Sequence, residues 1–212
     1  MNDCFVIKGG VPLKGEIFPS GNKNAALPTL AATLLTDEPV ILRNLPAIRD
    51  VEVMAELLQV LGADVERLDA NTWKIQAQQV CSPTNDMDRE LFRAIRGSIL
   101  IAGPLLGRLC DLSIPAPGGD VIGRRRVDTH FMAFQELGAD VVVQNGNYIL
   151  KADHLSGADI LLDEASVTGT ENAVMAAVLA HGTTILRNVA SEPHVQDLCA
   201  MLNAMGAKIN GI

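Results

Sequence analysis

The sequence predicts an α/β domain built from three strand-helix repeats, and three observations predict it. Ile41-Leu42-Arg43-Asn44 recurs 144 residues later as Ile185-Leu186-Arg187-Asn188, and at the same offset Leu61-Gly62-Ala63 is answered by Met205-Gly206-Ala207. Two matches at one offset mean equal internal spacing, which marks a repeated structural unit. Leu137-Gly138-Ala139-Asp140-Val141 copies Leu61-Gly62-Ala63-Asp64-Val65 and places a further unit between those two. Alanine-rich apolar runs, which favour helix, also alternate with short β-branched segments, which favour strand.

In the first unit the run Ala25 to Leu35 predicts a helix, Val40 to Leu42 a strand, and the residues after Arg43-Asn44 a loop. A second helix spans about Val51 to Leu61, because Val53, Leu57, Val60 and Leu61 fall near one face. Gly62 closes it by adopting the left-handed conformation, and Ala63 to Glu66 and Thr72 to Ile75 continue as strands. The middle unit has a predicted helix over Leu91 to Leu106, the same Leu-Gly-Ala ending, and a strand at Tyr148 to Leu150. The third has a helix over Ala173 to Ala180 and a strand over Thr183 to Leu186; after Gly206-Ala207 no closing strand follows, so this repeat reads as truncated.

Apolar residues make up 48% of the 212 and charged residues 20%, enough to build a core and to exclude a disordered chain. The formal net charge of −8 argues against nucleic-acid binding, which needs clustered cations to displace counterions. Arg124, Arg125 and Arg126 stand apart as a local site for a small anion, although a solvated loop fits the same run. Cys4, Cys81, Cys110 and Cys199 form no Cys-x-x-Cys pair, so neither disulfides nor structural zinc are expected. His130, His154, His181 and His194 lack ligand spacing, and no metal is expected. Met1 to Lys8 includes Asp3 and no long apolar run, and no uncharged stretch reaches spanning length, so neither a secretory signal nor a membrane partner is expected and the cytoplasm is the expected compartment.

Three segments carry chemical potential. Ser20-Gly-Asn-Lys-Asn-Ala-Ala-Leu-Pro28 combines a turn, a cation and a helix start, which suits either an anion site or an ordinary capped helix. Pro117-Gly-Gly-Asp-Val-Ile-Gly-Arg-Arg-Arg-Val-Asp128 suits either a loop that closes over substrate or a surface turn. Asp163 to Asn172 sits before the helix of the third unit, where Ser20 to Asn24 sits in the first. Arg96, among Ile95, Ile99 and Leu100, suits a cation snorkelling or paired beside a buried face, with anion binding the alternative.

Taken together, Ser20 to Pro28, Pro117 to Arg124, Val127-Asp-Thr-His130, Arg96-Gly-Ser-Ile99 with Gly103-Pro104, and Asp163 to Asn172 resemble the UDP-N-acetylglucosamine 1-carboxyvinyltransferase (enolpyruvyl transferase) family, over its amino-terminal half. The shikimate-pathway transferases share the repeats but carry Ser-Lys-Ser where this chain has Asn22-Lys23-Asn24. The resemblance implies an inside-out α/β barrel domain of three repeats, half of a six-repeat fold. It also implies domain boundaries: 1–19 as a strand that pairs with a carboxy-terminal domain, and 20–212 as the three-repeat domain.

The activity so implied transfers enolpyruvyl from phosphoenolpyruvate to the 3-hydroxyl of UDP-N-acetylglucosamine with release of phosphate. This is the first committed step of peptidoglycan synthesis, and so of cell-wall biogenesis, cell shape and division. No cofactor is implied. Lys23, Asn24, Arg96 and Arg125 match phosphoenolpyruvate-binding positions, with Lys23 also catalytic; Arg125, Arg126, Val127, Asp128 and Thr129, with Glu164, Ala165, Ser166 and Val167, match nucleotide-contacting stretches. Glu164 replaces a Lys and Arg126 a Pro seen in other members. Asp120 stands at the position of a reactive loop cysteine and is implied as proton donor, which predicts fosfomycin resistance. An unperturbed Asp near ~3.9 must have its pKa raised to act as an acid at neutrality.

In the family a catalytic Asp and a further Arg come from the other half, so this chain alone is expected to be inactive. A standalone UDP-sugar-binding module and one subunit of a split transferase are the alternatives. Phe5, Val6 and Ile7 without their partner domain predict an exposed interface open to self-association.

Overall fold

Asparagine and glycine in left-handed conformations punctuate the chain and divide it into its units. The structure, a computed structural model, describes residues 4–83, 86–119 and 126–212. The first unit comprises α1 (Lys23–Ala32), continued by a 3-10 turn over Thr33–Leu35, then β1 (Val40–Leu42), α2 (Arg49–Val60), β2 (Asp64–Arg67) and β3 (Trp73–Gln76). The second opens with α3 (Asp86–Ala94), a 3-10 turn over Arg96–Ile101 and α4 (Ala102–Leu109), and continues through β4 (Asp111–Pro115), α5 (Asp128–Glu136), β5 (Asp140–Gln144) and β6 (Asn147–Lys151). The third contains β7 (Asp159–Leu161), α6 (Val167–Ala177), β8 (Ile185–Arg187) and α7 (Pro193–Ala204). No strand follows α7 among the described residues, and residues 4–22 carry no helix or strand.

The repeat is visible in topology. The first two sheets have the orders β1-β3-β2 and β4-β6-β5, both antiparallel throughout, whereas β7 and β8 pair in parallel. Each Leu/Met-Gly-Ala sequence is a helix stop: Gly62, Gly138 and Gly206 have φ of 97°, 100° and 111°. Ala63, Ala139 and Ala207 donate back to the carbonyls of Leu58, Phe134 and Leu202, which closes the last turn. The repeated Arg-Asn pair is equally physical. Asn44 and Asn188 have φ of 60° and 56°, a conformation asparagine tolerates better than other non-glycine residues.

The helices α1, α4 and α6 are inside and the sheets outside. Beyond its first turn α1 is almost wholly buried, with Ala26, Leu27, Pro28, Leu30, Ala31 and Ala32 in the core, as expected of a helix that has no polar face. The sheets lie toward solvent: Val142 and Val143, which point to opposite faces of β5, are both exposed, as is Leu161 on β7. Arg108 at the end of α4 ties the units together by donating to the carbonyls of Leu34 and Ala77 at 3.2 and 2.6 Å.

Two helices differ from expectation. The predicted helix over Leu91 to Leu106 is broken at Ile95, which is extended (φ −134°, ψ 146°), and resumes as a 3-10 turn. Ser98 fixes the break by donating its hydroxyl to the carbonyls of Phe92 and Ile95, and a Cβ on Gly97 would stand 2.8 Å from Leu27 Cδ1. The helix expected to start at Ala173 starts at Val167. Thr168, Gly169 and Thr170 are poor helix formers, but Ser166 caps the helix and packing buries the polar turn Thr170-Glu171-Asn172.

Candidate active site

The first group of site residues sits at the start of α1. Asn22 is its N-cap, and its Oδ1 accepts from the amides of Asn24 and Ala25 at 2.7 and 3.2 Å. Those two donors therefore serve the cap, which leaves the side chains of Lys23 and Asn24 as this segment's candidate anion ligands. Lys23 Nζ donates to Asp50 Oδ2 at 2.9 Å, with the two side chains 49% and 37% exposed, so the ammonium is both oriented and accessible. Asn24 is exposed beside it. Gly21 fits because its α-carbon passes the carbonyl of left-handed Asn44 at a distance that would put a Cβ 1.8 Å from the oxygen.

Arg96 connects this group to the rest. It begins the 3-10 turn whose second residue, Gly97, lies against Leu27, one turn along α1 from Lys23. Its charge, after burial itself, depresses the pKa of His130, which falls to about 4. It also counteracts the rise that burial gives the Tyr148 phenol. The start of the glycine loop packs on the same turn: Gly119 donates its amide to the Arg93 carbonyl at 3.1 Å, and a Cβ on Gly119 would stand 2.8 Å from the Arg96 nitrogen. Asp120 and Arg125 lie outside the described residues.

The far end of that loop meets the segment before α6. Arg126 donates Nε to Asp128 and Nη2 to Asp163, both at 2.9 Å, and Thr129 Oγ1 donates to Asp163 Oδ1 at 2.6 Å. The Thr129 hydroxyl, followed by the Arg126 charge, holds the Asp163 carboxyl below its ordinary pKa, while Asp128 and Asp163 push the Arg126 guanidinium up. Val127 is the N-cap position of α5, and Glu164 and Ala165 are exposed. Ser166 caps α6, its hydroxyl accepting from Gly169 N at 3.2 Å, with Val167 first in the helix.

The fold thus brings residues 126–129 and 163–167 together through Asp163, and it joins Arg96 both to α1 and to the neighbourhood of His130. Lys23 and Asn24 form a separate end of the group, held by Asp50 and Asn22. Sequence reasoning gave no role to Asp50, Asp163, His130 or Asn172. Asp163, His130 and Asn172 lie inside the sequence motifs, and only their partners in space reveal what they do. Among the described residues no group of three or more His, Cys, Asp or Glu is placed to hold a metal, and no helix is long and apolar enough to cross a membrane.

Lys23, Arg96 and Arg126 thus lie at three places on one repeat domain, Lys23 held by Asp50 and Arg126 by Asp128 and Asp163. In comparison with known proteins, the family profile for EPSP synthase (3-phosphoshikimate 1-carboxyvinyltransferase) matches residues 7–212. The chain belongs to this family. Among its relatives the UDP-N-acetylglucosamine 1-carboxyvinyltransferase of Treponema denticola is 55% identical, covering 98% of this chain and 48% of that protein. The protein of the same name from Bradyrhizobium diazoefficiens is 54% identical with the same coverage. The chain spans about half the length of the curated relatives it matches.

Solved structures show the enolpyruvyl transferase fold directly. NikO, an enolpyruvyl transferase from Streptomyces tendae, superposes with a TM-score of 0.79 at 24% identity, over 95% of this chain and 47% of that one. EPSP synthase from Acinetobacter baumannii gives 0.70 at 16% identity, over 93% and 45%.

Proposed function

We propose that this chain forms one half of an enolpyruvyl transferase that moves the enolpyruvyl group of phosphoenolpyruvate onto the 3-hydroxyl of UDP-N-acetylglucosamine, in peptidoglycan synthesis in the cytoplasm. The observation that supports it is the position of Arg96. Its turn packs on α1 near Lys23, its charge reaches His130 beside the segment preceding α6, and the start of the loop to Asp120 lies against its backbone. The 54–55% identity to UDP-N-acetylglucosamine 1-carboxyvinyltransferases favours the sugar nucleotide over shikimate 3-phosphate as acceptor.

In this reading Lys23 and Arg96, with Arg125, bind the phosphate and carboxylate of phosphoenolpyruvate, and Asn24 contacts it alongside. The acceptor hydroxyl forms a bond to C2 while a proton adds to the methylene carbon, giving a tetrahedral intermediate. The C2–O bond to phosphate then breaks, and loss of a methyl proton restores the double bond. Asp120 supplies the first proton, which requires loop closure to raise its pKa. Residues 126–129 and 164–167 hold the nucleotide. Lys23 reaches substrate by exchanging part of its contact with Asp50, an exposed pair that costs little to open.

The base that receives the hydroxyl proton comes from the complementary half, so the chain alone is inactive. Residues 1–19 belong against that half: Phe5 is 98% exposed, with Val6 and Ile7 nearly as bare, and without it they promote self-association. With a carboxylate at Asp120 in place of a thiol, the complete enzyme resists alkylation by fosfomycin; a covalent adduct at this position by mass spectrometry would refute that. Binding is tested by titrating UDP-N-acetylglucosamine into the 15N-labelled chain. Shifts concentrated in 126–129 and 163–168 are expected, and saturable shifts confined to another face would overturn the assignment.

A further inference from the structure

We infer that His130 is a positioning residue: Asn172 fixes it as the neutral Nε2–H tautomer, and that N–H holds Thr168 and with it the start of α6 in the nucleotide-binding arrangement. The inference rests on the proposed nucleotide site for its purpose, but not for its geometry. The logic begins with two backbone groups of fixed polarity. Gly103 N, which can only donate, contacts Asn172 Oδ1 at 2.8 Å, and the Ile99 carbonyl, which can only accept, contacts Asn172 Nδ2 at 2.8 Å. These settle the orientation of the buried amide. The amide nitrogen also lies 2.8 Å from His130 Nδ1, so Nδ1 accepts. The ring proton must then sit on Nε2, which lies 3.2 Å from Thr168 Oγ1 and donates to it.

Both ends of this relay are constrained. His130 is 1% exposed and Asn172 is fully buried, and the low pKa of His130 keeps the ring neutral at physiological pH, as the tautomer requires. Thr168 lies in the first turn of α6, two residues beyond its cap Ser166, and Thr129, next to His130, holds Asp163 on the other side of the same segment. One helix start, α5, therefore grips the 163–168 segment twice: through the Thr129 hydroxyl at its beginning and the His130 ring at its end. A Cβ on Gly103 would stand 2.8 Å from Asn172 Oδ1, so glycine is what lets the backbone approach closely enough to set the relay.

The experiment uses this chain with Thr168→Val, which removes the hydroxyl, and Thr168→Ser, which restores it. Long-range 15N NMR of the unsubstituted chain should show His130 protonated at Nε2; a proton on Nδ1 overturns the inference regardless of any ligand. Amide exchange over residues 163–168 should accelerate about threefold to tenfold in Thr168→Val and return in Thr168→Ser, as loss of one hydrogen bond requires. UDP-N-acetylglucosamine affinity should fall by a similar factor only in Thr168→Val. Equal exchange in all three proteins overturns the positioning role. Normal tautomer and exchange without any nucleotide binding would instead sink the proposed function and leave the relay standing.

Discussion

The unsubstituted chain should lose stability between about pH 6.5 and 8, and replacing Glu171 with Gln should abolish that fall. Glu171 lies on α6, is 1% exposed, and its Oε1 has no hydrogen-bond partner among the described residues. Burial, then the nearby Glu192 charge, raises its pKa from 4.5 to about 8. Between those values the folded state keeps a proton that the unfolded state releases, so stability falls with rising pH at up to ~1.4 kcal/mol per unit. His130 works in the opposite sense. Its pKa drops from 6.5 to about 4, so the unfolded state binds the extra proton there and stability rises with pH across that window. The two slopes oppose each other between 4.5 and 6.5, and above 6.5 Glu171 acts alone. Cys199, whose thiol is raised from 9.0 by burial and by Glu171, contributes only at higher pH. The net loss from 6.5 to 8 is therefore up to ~2 kcal/mol. Urea unfolding followed by the fluorescence of buried Trp73 measures it. A flat native profile over this range, or an unchanged slope in Glu171→Gln, would refute the reasoning.

Other substitutions test the local geometry. Asn22→Ala removes the acceptor for two amides of α1 and should cost ~1 kcal/mol in urea unfolding. Gly118→Ala places a Cβ 1.8 Å from the Arg93 carbonyl, so it should displace the loop start and destabilise by about 1–3 kcal/mol, whereas Ala at open Gly146 would strain only its own φ of 73°. Asp163→Asn, which keeps an acceptor for the Thr129 hydroxyl and loses only the charge facing exposed Arg126, should leave the urea midpoint nearly unchanged yet loosen residues 126–129 in backbone relaxation measurements.

The repeats were legible because each repeated word has a local backbone job. Leu-Gly-Ala stops a helix and Arg-Asn makes a left-handed turn, and both jobs are done by residue types that advertise them. The helix over Leu91 to Leu106 was misread because apolar periodicity continues through the break; the extended Ile95 is imposed by Ser98 and by the fit of Gly97 on Leu27, which come from tertiary packing. The early start of α6 was hidden for a related reason, since Thr170, Glu171 and Asn172 look like a loop until their burial is known. Lys23, Asn24 and Arg96 could be named from motif matching, whereas Asp50 is 27 residues from Lys23 and Asp163 is 37 from Arg126, so neither pairing leaves a mark at short range.

Turnover of the two halves together tests the account most directly. This chain, mixed with or joined to a complementary three-repeat half from a UDP-N-acetylglucosamine 1-carboxyvinyltransferase, should release one phosphate per enolpyruvyl transferred when given phosphoenolpyruvate and UDP-N-acetylglucosamine. Neither half alone should do so, and Lys23→Ala should abolish release. Phosphate release that requires shikimate 3-phosphate instead, or none from a folded pair with either acceptor, would contradict it.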